Sequence, residues 1–216
     1  MAGRTIAIGD IHGCDKALAA IIDAMQPTAD DTIVTLGDYI DRGPDSNRVV
    51  DRLLELQKAC ILVPLLGNHE QMLLAAIENE ADAEFWMQCG GQATLESYGG
   101  DLQRIPEDHL NFIKDCAFAY ETETHLFVHA NYDSTVPVNE QDDYVMLWKH
   151  LTAPLPAPHI SGKTAVVGHT PQMSGEILNA GHLICIDTWC FGDGWLTALD
   201  VETMAVTQCN RHGEVR

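Results

Sequence analysis

Short apolar runs alternate with amphipathic stretches through the first 80 residues of the chain. Residues 5–8 and 31–36 read as buried strands, and the apolar run at 60–66 as a third. Between them, residues 15–25 set Leu18, Ile21, Ile22 and Met25 on one helical face, and residues 47–57 do the same with Val49, Val50, Leu53, Leu54 and Leu56. A third helical stretch covers 70–80. Strict alternation of this kind predicts βαβ units, hence a parallel sheet with right-handed crossovers. From 81 to 120 the pattern turns helical, broken at Cys89-Gly90-Gly91 and Tyr98-Gly99-Gly100. Strands follow at 125–129, 164–168 and 183–187, and a closing hairpin pairs 195–201 with 205–208. A connection carrying Pro154, Pro156 and Pro158 separates the first two of these. One α/β domain over residues 1–216 is expected, its later sheet more antiparallel.

Composition narrows the partners. The 216 residues carry 32 Asp and Glu against 12 Lys and Arg, a formal charge of −20, and 46% are apolar. That apolar share suits a packed core rather than a disordered chain. No apolar run approaches the ~18–20 residues of a membrane span, and the first residues show no signal-peptide pattern. A cytoplasmic protein without a membrane partner is expected. The acidity repels nucleic acid as well, so none is expected as a partner. Seven cysteines (14, 60, 89, 116, 185, 190, 209) form no CxxC pair, which excludes zinc-finger and disulfide frameworks and fits free thiols. Nothing in the chain speaks to oligomeric state.

The chemistry collects at strand ends. Gly9-Asp10-Ile11-His12-Gly13 follows the first strand, residues 37–44 (GDYIDRGP) the second, and Gly67-Asn68-His69-Glu70 the third; later strands end in His129 and His169. The carboxyl ends of parallel strands share one edge, where ligands bind, so these clusters converge in space. Two Asp (10 and 38), three His (12, 129 and 169) and Asn68 form a mixed donor set suited to Mn, Fe or Zn. Six ligands exceed the need of one ion, so a pair of divalent ions is expected, activating a water for attack on a phosphoryl group. Arg42 offers a planar fork for phosphate. His69 is placed to act as a general acid, with Asp41 orienting it. His125 reads as lying at a strand entrance, and His109, His159, His182 and His212 as surface residues. Gly162-Lys163-Thr164 lacks the upstream glycine of a phosphate loop.

Five motifs, GDIHG (9–13), GDYIDRGP (37–44), GNHE (67–70), HA (129–130) and GHTP (168–171), span most of the chain. In order and spacing they resemble the phosphoprotein phosphatase branch of the calcineurin-like metallophosphoesterases. The stretch GGQATLESY (90–98) is similar to the helical insert of its bacterial serine/threonine phosphatase members. The resemblance implies a four-layer α/β/β/α metallophosphatase sandwich with a helical insert at 78–118. By position, Asp10, His12 and Asp38 would hold one ion; Asp38 would bridge to a second held by Asn68, His129 and His169. Arg42 would bind phosphoryl oxygens, His69 would be the acid and Asp41 its partner. Manganese is the ion expected foremost, with Fe or Zn as alternatives.

Three positions depart from the pattern. Asn131 stands where the family usually has Gly, and Trp189 replaces the Gly of a closing IDTG, which places a ring near the pocket rim. No Arg follows Trp148, so Lys149 or His150 is expected to take the place of a second phosphate-binding Arg. Cys14 and Cys190 are expected near the same edge as buried, inert thiols. The implied function is hydrolysis of a phosphomonoester, a phosphorylated protein or a small phosphoester, by direct attack of a hydroxide held between the metals. Symmetrical diadenosine tetraphosphate hydrolysis and a non-catalytic phosphate-binding module are the alternatives.

Overall fold

The computed structural model describes residues 3–216. Alternate residues of its short strands serve different cores, and this builds the layers. In β1 (Thr5–Ile8), Ile6 and Ile8 pack under helices while Ala7 faces the other way. In β5 (His125–Val128), Phe127 meets Ala7's layer while Leu126 and Val128 face outward. The same alternation runs through β2 (Thr32–Thr35), β6 (Thr164–Val167) and β8 (Leu183–Cys185). Side chains of period two thus glue two sheets face to face through Ala7, Val34, Phe127, Val166, Ile184 and Leu199.

The first sheet has the order β10-β9-β1-β2-β3, with β3 at Ile61–Pro64 and the closing hairpin β9 (Leu196–Asp200) and β10 (Val206–Cys209). Its β1, β2 and β3 are parallel, as their alternation with helices requires. Helices α1 (Asp15–Met25) and α2 (Ser46–Leu56) cover its outer face with Leu18, Ile21, Val49, Val50 and Leu53. Helix α3 begins at Asn68 and runs to Glu78, two residues earlier than the apolar pattern places it.

The second sheet has the order β4-β5-β6-β8-β7, with β4 at Ala119–Glu121 and β7 at Leu178–Asn179. Its three central strands are parallel, against the antiparallel expectation, and only the edges run antiparallel. The signal is missing because the returns carry little helix: six-residue α7 (Asp143–Trp148) between β5 and β6, and none between β6 and β8. The fourth layer is therefore thin, α7 and loops packed on Leu126, Val128 and Val167. Two mixed sheets flanked by helices make the α/β sandwich. Between α3 and β4 stand α4 (Glu80–Trp86), a kinked turn (Met87–Gly91) with Gly90 at φ +115°, α5 (Gln92–Ser97) and α6 (Glu107–Lys114).

Two histidines read as surface residues are buried. His109 is bonded by Tyr98 Oη (2.8 Å) and Asp51 Oδ1 (3.1 Å), and His159 by Ser161 Oγ (2.7 Å) and the Val136 carbonyl (2.9 Å). Each ring satisfies both nitrogens locally, which lets a polar group sit inside. No described helix is long and apolar enough to cross a membrane.

Candidate active site

The strand-end clusters meet at one edge, on backbone that is strained and pinned. Of the eight non-glycine residues with positive φ, five are His12, Asp38, Asp41, Arg42 and His169. Such conformations cost on the order of 1–3 kcal/mol each and persist only where neighbours over-determine them. Every one of those five N–H groups is held. His12 N–H donates to the Asp38 carbonyl (2.8 Å), Asp38 N–H to Glu70 Oε2 (2.8 Å), and Asp41 N–H to Thr94 Oγ1 (2.8 Å). Arg42 N–H donates to the Gly90 carbonyl (3.1 Å), and His169 N–H to Asp10 Oδ2 (3.0 Å). Glu70 also takes N–H groups from Gly67, Tyr39 and Ile40, so this one carboxylate organises the loop after β2.

Asp38 is the hub. Its Oδ2 lies 3.5 Å from His12 Nε2 and 3.9 Å from His69 Nε2, and its Oδ1 lies 3.4 Å from His129 Nε2. Two groups result, His12–Asp38–His69, all buried, and Asp38–His129–His169, in which His169 is half-buried, with potential ligand atoms within 4.8 Å of one another in each. Asn68 Oδ1 stands 3.0 Å from His129 Nε2. His12 Nδ1 lies 2.9 Å from the Ile40 carbonyl and His129 Nδ1 2.7 Å from the Leu36 carbonyl. A ring N–H donated to each carbonyl leaves both Nε2 lone pairs facing Asp38; that of His12 also accepts from Arg42 Nη1 (3.0 Å), while that of His129 meets only acceptors, for which a cation is the natural counterpart. His169 gives its Nε2 to the Trp148 carbonyl (3.1 Å), freeing Nδ1. The donor set therefore fits divalent metal.

Asp10 lies outside both groups. Both its oxygens accept His169 N–H (3.2 and 3.0 Å), and burial, with Asp187 and Asp38 near, raises its pKa well above the carboxylate range. His69 occupies the first group where the resemblance puts Asp10.

Protonation separates the four histidines. Burial, aided by His69, lowers His12; burial lowers His129; burial and His129 lower His169 to about 3. All three are neutral, the state that ligates metal. Burial also opposes a charge on His69, but Asp38 and the 2.6 Å hydrogen bond to Asp41 Oδ2 raise its pKa. Burial works against the charge of Asp38 too, yet His129, His69 and His12 hold it well below the usual range.

Asp38, Asn68, His69 and His169 line a cleft of 440 Å³ together with Arg42, Trp148 and His150. The Arg42 guanidinium lies 4.7 Å over the Phe191 ring, and Phe191 meets His12 edge-on at 5.0 Å. Of the two candidates after Trp148, His150 lines the cleft, stacked on His169 at 4.3 Å. Lys149 does not; it is exposed and its charge acts on Asp133. Buried Asn131 donates to the His150 carbonyl (3.4 Å). Trp189 packs over Gly192 and does not line the cleft, against the ring expected at its rim; the aromatic side chain that lines it is Trp148. Cys14 and Cys190 are buried, and the neighbouring Cys14 together with burial pushes the Cys190 thiol up.

The profile of the calcineurin-like phosphoesterase family matches residues 3–193. The chain is a calcineurin-like phosphoesterase. As such it is a metallophosphoesterase, a hydrolase acting on phosphoester bonds. It is 29% identical over 209 residues to serine/threonine-protein phosphatase 1 of Salmonella typhimurium, covering 90% of each chain. It is 30% identical over 129 residues to the symmetrical bis(5'-nucleosyl)-tetraphosphatase of Burkholderia pseudomallei, 58% of this chain and 41% of that protein. Its fold matches the structure of a provisionally assigned diadenosine tetraphosphatase with a TM-score of 0.72 at 24% identity, covering 96% and 93% of the two chains.

Sequence reasoning quoted Glu70 without a role and missed Phe191, Trp86 and Thr94. Glu70 carried a signal, an acid four residues into a strand-end motif. Trp86 carried none, lying 45 residues from the Asp41 it contacts.

Proposed function

We propose that this phosphoesterase removes phosphate from phosphoserine or phosphothreonine in protein, or from a small phosphoester, using two divalent ions with manganese foremost. The observation that carries the reading is the His69–Asp41 pair: a buried imidazole on the wall of the cleft that Asp38, Asn68 and His169 also line, held from behind at 2.6 Å by a buried carboxylate. Asp10, His12 and Asp38 would hold one ion; Asp38, Asn68, His129 and His169 the other. When bound, such ions activate water and neutralise phosphoryl oxygens. The chain's own residues do the rest. Arg42 binds the phosphoryl oxygens through its fork, and His150 adds a donor beside it. His69, its Nδ1 engaged by Asp41 at 2.6 Å, gives its Nε2 proton to the departing oxygen as the P–O bond breaks. His69 lies within ligand reach of Asp38 but serves as acid, since a carboxylate, Asp41, holds its ring where backbone carbonyls hold those of His12, His129 and His169.

A second reading, cleavage of a symmetrical dinucleoside tetraphosphate, draws on the 129-residue match to a tetraphosphatase. The 90% coverage of the protein phosphatase on both sides favours the first. Residues 1–216 are proposed to form one domain acting in the cytoplasm, where seven free cysteines suit a reducing medium. Turnover of a phosphopeptide, nitrophenyl phosphate and diadenosine tetraphosphate should be measured with Mn²⁺ and with chelator. Chelator-sensitive release of phosphate from the peptide is expected. Faster cleavage of the tetraphosphate would replace this reading with the second, and metal binding without turnover of any of the three would overturn both.

A further inference from the structure

The helical segment between α3 and β4 reaches into the site at one place. Asp41 is fully buried and its carboxylate takes three donors. His69 Nδ1 meets Oδ2 at 2.6 Å. The Trp86 indole N–H straddles both oxygens at 2.9 and 3.1 Å, and the Thr94 hydroxyl donates to Oδ1 at 2.7 Å. Trp86 is 1% exposed and Thr94 0%. The indole is itself braced, for a Cβ on Gly91 would fall 2.4 Å from its ring. From the same stretch the Gly90 carbonyl accepts Arg42 N–H at 3.1 Å, and Thr94 Oγ1 accepts Asp41 N–H at 2.8 Å. Residues 86–94 thus grip both members of the left-handed pair Asp41 and Arg42, φ +71° and +68°.

A buried carboxylate is costly unless its lone pairs are met, and it keeps one orientation only if both oxygens are held. His69 alone would leave Asp41 one tethered oxygen and a free torsion. Trp86 and Thr94 remove both defects with neutral donors that hold no charge of their own to compete with His69.

We propose that Trp86 and Thr94 are positioning residues for leaving-group departure: they fix Asp41 so that it aims His69, while their segment holds the turn that presents Arg42. This rests on the proposed role of His69 and adds to it residues that touch neither phosphate nor metal. Mis-aimed, His69 delivers its proton poorly, and the loss falls on substrates that need that proton.

The test is a leaving-group series, from nitrophenyl through phenyl to alkyl phosphate, with kcat and KM measured under Mn²⁺ for wild type, Trp86→Phe, Thr94→Val and Thr94→Ser. Trp86→Phe keeps the ring and loses the N–H; Thr94→Val keeps the shape and loses the hydroxyl. Both should lower kcat about 10- to 100-fold on phenyl and alkyl phosphate and about threefold or less on nitrophenyl phosphate, part of the ~10²–10⁴-fold that a positioned acid supplies. Thr94→Ser should restore most of the loss. Combined with His69→Ala, Trp86→Phe should add little further, because residues acting as a unit are non-additive. Equal losses across the series, or losses that multiply with that of His69→Ala, would overturn the proposal and leave the function intact. A wild type without turnover, or His69→Ala without leaving-group dependence, would instead strike the reading on which it rests. If Trp86→Phe does not fold, the Val and Ser pair at position 94 decides the outcome.

Discussion

Gly37 leads from β2 to Asp38, and replacing it with alanine tests how closely the loops that carry Asp38 and Asn68 must approach. It sits at φ +98°, and a Cβ there would lie 2.7 Å from both N and Cα of Gly67 and 2.9 Å from His129 Nδ1. The first two neighbours are backbone and cannot swing aside. A left-handed alanine costs roughly 1–2 kcal/mol. Prising apart packed atoms adds about 1–3 kcal/mol. Gly37→Ala should therefore cost about 2–5 kcal/mol, a large part of the ~5–15 kcal/mol that holds a domain folded. Gly100 is the control: its φ is +84° but nothing lies within 4 Å of its virtual Cβ, so only the backbone cost applies. Urea unfolding in chelator removes any contribution from bound metal, and Mn²⁺ calorimetry then reads the site. Gly100→Ala should lose about 1–2 kcal/mol and bind Mn²⁺ like wild type. Gly37→Ala should lose more and bind Mn²⁺ more weakly, because Asp38 and His129 must both yield. Equal losses in the two variants, or a Gly37→Ala within about 0.5 kcal/mol of wild type, would refute the close-approach argument.

Two further outcomes follow from charges at and beyond the site. His150→Ala should raise KM about three- to tenfold with little change in kcat, since His150 lines the cleft, while Lys149→Ala should change neither by more than about twofold; steady-state kinetics on nitrophenyl phosphate decides it. Asp31 accepts Arg4 Nη2 (2.7 Å) and the N–H groups of Arg4 and Thr28 (both 2.8 Å), and Arg4 foremost holds its carboxyl well below the usual range. A depressed carboxyl stabilises the fold above its unfolded pKa of about 4 and ceases to do so as pH falls through its folded value. Asp31→Asn should cost about 1 kcal/mol at pH 7, a modest figure because water screens the half-exposed Arg4. In denaturant melts from pH 7 down to 2 the gap to wild type should narrow below pH ~4; a constant gap would remove the charge from the explanation.

What could be read along the chain was whatever obeys a period or a motif. Ile6, Ile8, Leu18 and Ile21 announced β1 and α1, and the strand-end clusters announced the site. The parallel core of the second sheet was hidden because β5, β6 and β8 are three or four residues long and joined by loops with almost no amphipathic helix. His109 and His159 were misplaced because burial of an imidazole depends on partners such as Asp51 and Val136 that are near only in space. Trp86 was invisible for the same reason. Position 149 against 150 is a matter of where the chain leaves α7, which the Trp148-Lys149-His150 string does not encode.

Asp38 belongs to both metal-fitting groups, but the two draw on the scaffold unequally. His12 and Asp38, like Asp10, follow strands of the first sheet, whereas His129 and His169 follow β5 and β6 of the second. An ion in the first group would be an internal affair of one sheet. An ion in the second would act as a rivet through both, and by linkage its binding energy becomes resistance to their separation. The apolar layer of Ala7, Phe127, Val166 and Leu199 would then exchange its amide hydrogens at a rate set from the catalytic edge, so that the enzyme is most tightly shut as a body when it is most fully armed as a catalyst.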